Sequence, residues 1–122
     1  MKADMTIQYV TDPEFSAGVY AAVLGRQPVE VSPGFVLFVL DSGFMLGLWR
    51  QEAVKPKAQM TGGGAELVLH VKEDAEVEAA HATLSATAGL TVMEEPVRLP
   101  FGYTFLAVDP DQHRIRVLKT AG

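Results

Sequence analysis

Cysteine is absent from the 122 residues, which excludes disulfides, thiolate nucleophiles, iron–sulfur clusters and structural zinc of the cysteine type. Basic charge is scarce. Ten Lys and Arg stand against 15 Asp and Glu, a formal charge of -5, and no basic stripe exists to displace counterions from phosphate, so nucleic acid is not an expected partner. No apolar run approaches the roughly 20 residues that a membrane helix needs, and Met1 to Met5 carries no apolar block of the signal-peptide kind. The expected setting is the cytoplasm, with no membrane partner. Histidine occurs three times and tryptophan once, so the candidate functional side chains are few.

The chain nevertheless has the means to build a core. With 48% hydrophobic and 20% charged residues, it has the composition of one ordinary domain, able to bury about two thirds of its unfolded surface. Met5 to Thr11 is β-prone. Asp12-Pro13 then marks a helix start, an acceptor at the cap and a proline at the first position. Phe15, Val19, Ala22 and Val23 recur at helical spacing as far as Leu24-Gly25. Strands follow around Pro28 to Val31, Phe35 to Leu40 and Phe44 to Arg50, parted by Ser32-Pro33-Gly34 and Asp41-Ser42-Gly43.

Gln51 to Gly64, with Lys55-Pro56-Lys57 and three consecutive glycines, reads as a mobile linker. The order then repeats: strand Ala65 to Val71, helix Asp74 to Ala88 closed by Gly89, and strands Thr91 to Arg98, Tyr103 to Val108 and Arg114 to Leu118. The reading is a single α+β domain spanning 1–122, with a βαβββ unit over about 1–50, a linker over 51–64 and a second unit over 65–122. One helix covers one face of each sheet and leaves the other for a second sheet or a ligand. Two such units side by side make a half-open barrel, whose concave face is the place to seek function.

Several segments give this outline a family likeness. Tyr9-Val10-Thr11-Asp12, Val19-Tyr20 before Leu24-Gly25, and above all Phe101-Gly102-Tyr103-Thr104-Phe105 leading into Asp109-Pro110-Asp111-Gln112-His113 resemble the glyoxalase, bleomycin-resistance and extradiol-dioxygenase superfamily, the vicinal oxygen chelate proteins. Leu48-Trp49, Glu66 and the ending His113 to Val117 are most similar to the phenazine- and mitomycin-resistance branch of drug-binding proteins. The resemblance implies a homodimer, with the units paired within one chain or exchanged between two. It also implies glycine where this chain has Gln112, so either Gln112 is left-handed and carries about 1 kcal/mol of strain, or the turn type differs.

Enzymes of that superfamily hold a divalent cation with inward His and Glu side chains. Carrying those positions over gives Met5, Glu66 and Arg116. Only Glu66 suits a hard cation; a thioether ligates it poorly and a guanidinium repels it. His70, His81 and His113 do not rescue the set, so neither metal nor cofactor is expected. Arg116 keeps a positive charge in the cavity, with a planar fork suited to a carboxylate or ring carbonyl. The alternative is that it only neutralises Glu66.

Strand alternation places Met5, Ile7 and Tyr9 on one face, and Glu66, Val68 and His70 on one face of the matching strand. Trp49 lies beyond Gly47, whose missing side chain leaves room for a flat aromatic beside the indole, or Trp49 is simply core. Phe101 and Tyr103 rim the cavity by resemblance, while Phe35, Phe38, Phe44 and Phe105 read as sheet core. Tyr20 is expected to be buried against the sheet. No serine has a nucleophile-elbow context, and Gly62-Gly63-Gly64 lacks the Lys-Ser/Thr of a phosphate loop.

The expected function is non-catalytic: sequestration of a planar aromatic antibiotic or its precursor, of phenazine, quinoline or mitomycin type, giving self-resistance. Trp49, Arg116, Glu66, Met5, Tyr9, Phe101 and Tyr103 are the candidate ligand-binding residues. The alternatives are a metal-dependent glyoxalase- or dioxygenase-type enzyme and a module that hands a chromophore to a biosynthetic enzyme.

Overall fold

Strand β1 (Met5–Val10) passes into helix α1 (Pro13–Leu24) at Asp12, in a computed structural model that describes every residue from Met1 to Gly122. The Asp12 carboxylate accepts from the N–H groups of Glu14 and Phe15 at 3.2 and 3.3 Å, Pro13 takes the first helical position, and Gly25 closes the helix in the left-handed region. The helix phase follows the expected reading at Val19 and Tyr20 and departs from it elsewhere. Pro13, Ser16, Val19 and Tyr20 turn inward, whereas Phe15 stays 47% exposed and Ala22 is exposed. The small Ser16 allows close approach, and the buried Tyr20 hydroxyl donates to Gln8 Oε1 at 2.7 Å, the partner that a buried phenol requires.

Met1–Gly62 forms one compact unit and Gly63–Gly122 another. In the first, β2 (Glu30–Ser32), β3 (Phe35–Val39) and β4 (Met45–Arg50) join β1 in the order β1-β4-β3-β2. β1 runs parallel to β4 and the other pairs are antiparallel. Val36, Phe38, Leu46 and Leu48 are buried on the face that α1 covers, the face from which Gln8 meets Tyr20. β2 lies at the sheet edge and begins later than expected, beyond Pro28, which has no N–H to give a ladder. Beyond β4, Gln51–Ala53 make a 3-10 turn and Val54 is buried.

The second unit repeats the plan with β5 (Glu66–His70), α2 (Asp74–Ser85), β6 (Thr91–Leu99), β7 (Gly102–Val108) and β8 (Arg114–Thr120), in the order β5-β8-β7-β6. The Glu76 carboxylate starts α2 by accepting from the N–H groups of Lys72 and Glu73. α2 stops at Ser85, short of the expected Ala88, because the Ala86 and Thr87 N–H groups bond three residues back and tighten the last turn. Register shifts on either side of Glu94 bend β6. Phe105, Ala107, Ile115 and Val117 form the buried face beneath α2, which contributes Val77 and Leu84.

The turn between β7 and β8 is held by Asp109, whose Oδ1 accepts from the N–H groups of Asp111 and His113 at 2.8 and 2.9 Å. Gln112 sits in it at φ 71°, so of the two readings open for this position, a left-handed residue or a different turn type, the left-handed one holds. Together the units give the expected α+β class. No helix is long and apolar enough to cross a membrane.

Candidate functional site

In the first unit, the sheet face away from α1 carries Met5, Ile7 and Tyr9 from β1, Met45, Gly47 and Trp49 from β4, and Phe35 and Leu37 from β3, as the registers require. Tyr9 and Trp49 are direct cross-strand partners, their rings edge to face with centroids 6.3 Å apart. Met5 and Ile7 remain 38% and 42% exposed. Three expected residues, Met5, Tyr9 and Trp49, are thus brought to one face.

The space over Gly47 is not open, contrary to expectation. A Cβ there would lie 2.7 Å from Phe35 Cζ and 3.0 Å from Met5 Cε, so an aromatic ring and a thioether methyl already cover the backbone. Phe35, read from the sequence as ordinary core, therefore belongs to this face. The signal for it is the register: Phe35 opposes Trp49 and reaches diagonally over the next inward position of β4.

In the second unit, the face away from α2 is polar at its centre. Arg116 Nε and Nη2 donate to Glu66 Oε1 and Oε2 at 2.6 and 3.0 Å, a bidentate pair, and Nη1 donates to Thr104 Oγ1 at 3.2 Å. Thr104 was missed in the sequence, although it lies on β7 two residues from Leu106, the register partner of Arg116. The hydrogen bonds from Arg116 hold the Glu66 carboxyl below the ordinary glutamate range against a smaller opposing effect of burial, and Arg114 lowers it further. The same bonds raise the Arg116 guanidinium. Its carbon stands 5.8 Å from the ring centroid of Phe101, a cation–π distance.

Tyr103 does not join this group. Its hydroxyl donates to Glu78 Oε2 on α2 at 3.0 Å, and the Arg98 guanidinium lies 4.5 Å over its ring, so it sits on the helix-covered face. Gly102 separates it from Phe101 with a backbone in which a Cβ would stand 2.2 Å from the Lys119 carbonyl oxygen. The chain bends there, and the two aromatics part. A separate groove of about 490 Å³, lined by Gln51, Glu52, Val54, Lys55, Lys57 and Ala58, contains none of the expected site residues.

The donor set does not fit the divalent cation of the resembling enzymes. Both oxygens of Glu66 are engaged by Arg116, and no group of three or more His, Asp or Glu side chains is arranged to hold a metal ion. What the two faces offer instead is an apolar aromatic surface in one unit and, in the other, an ion-paired guanidinium with further N–H donors. Arg116 has five N–H groups, of which three are used.

Comparison with known proteins agrees with this architecture. Residues 2–117 match the family model of the Glyoxalase/Bleomycin resistance protein/Dioxygenase superfamily. The chain is 29% identical over 116 residues to the phenazine antibiotic resistance protein EhpR of Enterobacter agglomerans, covering 93% of this chain and 88% of that protein. The solution structure of protein ATC0852 from Agrobacterium tumefaciens is similar with a TM-score of 0.90 and 48% identity, covering 100% and 99% of the two chains. A glyoxalase-related enzyme from Fulvimarina pelagi shares the fold at 22% identity, with a TM-score of 0.86 over 98% and 88% of the chains.

Proposed function

The chain belongs to the glyoxalase/bleomycin resistance protein/dioxygenase superfamily, and on that ground we propose that it binds and sequesters a planar aromatic antibiotic or precursor, without transforming it. It acts in the cytoplasm as a homodimer and confers resistance stoichiometrically. The observation that carries this reading is the first unit's apolar face, where Trp49, Tyr9, Phe35 and Met5 converge while Met5 and Ile7 stay exposed. Such a surface suits stacking with a flat ring system, worth about 0.5 to 1.5 kcal/mol beyond area burial. In the second unit, taken by itself, the N–H groups that Arg116 retains suit a carbonyl or carboxylate group. The relative that is a phenazine antibiotic resistance protein supports the resistance role, and the engagement of Glu66 by Arg116 disfavours the metal-enzyme alternative.

Fluorescence titration of the single indole tests the reading. Phenazines or quinolines are expected to quench Trp49 saturably, with a matching calorimetric heat and recovery of the compound unchanged. Absence of quenching and of heat across both classes would overturn the proposal, as would one tightly bound divalent metal per chain after dialysis and elemental analysis.

A further inference from the structure

We propose that Phe35, laid over Gly47, is the residue that sets which aromatics the first unit accepts, selecting fused two- or three-ring systems over single rings; this rests on the binding reading above. Gly47 is buried, yet its missing side chain does not serve to open a slot. Phe35 from β3 and Met5 from β1 reach over it from the two flanking strands, their Cζ and Cε 2.7 and 3.0 Å from where a Cβ would be. With any other residue at this position the phenyl tip would have to move. Glycine is what lets the ring tip reach over the β4 backbone.

The result is a floor that extends across three strands. Two strand spacings amount to about 9.5 Å, longer than one aromatic ring and comparable to a fused tricycle. Met5 adds a polarizable thioether at the β1 side, and Trp49, opposite Phe35 in register and edge-on to Tyr9, stands at one end of the same floor. A monocyclic guest would cover only part of it. A fused plane would cover Phe35 and Met5 together while reaching the indole.

The test uses full-length wild-type, Phe35→Leu and Gly47→Ala proteins, with phenazine, quinoline and benzamide as probes. In the ligand-free proteins, the Met5 methyl resonance is expected to be shifted by the Phe35 ring current in wild type and to move in both variants. In titrations followed by Trp49 quenching, Phe35→Leu is expected to weaken phenazine by about 2- to 12-fold, the equivalent of one lost stacking contact, while benzamide binding changes less than 2-fold. Gly47→Ala should act in the same direction by lifting the ring. Phe35→Leu keeps a bulky apolar side chain, so it remains informative should Gly47→Ala fold poorly. Unmoved methyl resonances overturn the inference at the level of geometry. Wild-type phenazine binding that both variants retain overturns the inference and leaves the sequestration reading standing, whereas a wild type that binds none of the probes overturns both.

Discussion

Replacing Arg116 with methionine isolates the interaction at the centre of the second unit. The guanidinium and the Glu66 carboxylate form a two-point contact, and their side chains are 13% and 29% exposed. This is neither a free surface pair, typically worth at most about 1 kcal/mol, nor a fully desolvated one, whose rupture costs about 3 to 5 kcal/mol. Discounted for screening at the more exposed carboxylate, the loss is about 1 to 2 kcal/mol, or very roughly 3 to 10 °C in melting temperature for a chain of this size. A double-mutant cycle with Glu66→Gln should return most of that loss as coupling at neutral pH. The pH dependence has a definite sign. The folded-state Glu66 carboxyl lies below its ordinary value, so its contribution is fully present above the unfolded value of about 4.3 and disappears as pH falls through the lower folded value. Thermal or urea unfolding of the four proteins at pH 7 and through the acid range measures this. Coupling below about 0.3 kcal/mol at pH 7, or coupling that survives once Glu66 is protonated, would refute the pairing.

Two further outcomes follow from local geometry. Gln112→Gly, at φ 71°, should raise stability by up to about 1 kcal/mol, because the left-handed penalty of roughly 1 to 2 kcal/mol for a side chain outweighs the extra entropy of glycine; a lower unfolding midpoint would contradict this. Tyr103→Phe should leave aromatic binding, read by Trp49 quenching, within 2-fold of wild type, since the Tyr103 hydroxyl bonds to Glu78 on α2; a large loss of affinity would place Tyr103 in the site after all.

Much of the fold is legible in residues whose effect is local. Asp12-Pro13 and Gly25 bound α1 because a carboxylate, a missing N–H and a permissive backbone act without reference to the rest of the chain. Asp109 likewise organises its turn through N–H groups two and four residues ahead. The helix phase was legible only in part: Tyr20 is inward as expected, its hydroxyl donating to Gln8 on another element, whereas Phe15 and Ala22 of the expected stripe stay exposed. Hydrophobicity alone favoured Phe15, which has no such partner and stays outside.

The candidate site divides along the same line. Glu66 and Arg116 could be matched from the sequence because parallel strands β5 and β8 put both on one face, and opposite charge does the rest. Phe101 and Tyr103 share strand parity, yet they separate because the backbone at Gly102 passes against the Lys119 carbonyl, and alternation holds only within an unbroken strand. Phe35 is the converse case: its parity was plain, but its importance lies in a diagonal contact over Gly47 that exists only once β3 and β4 are in register. Glycine in a strand weakens it unless something uses the vacated space, and here an aromatic ring uses it. The absent side chain read as a vacancy is thus the condition for Phe35 and Met5 to close over the β4 backbone.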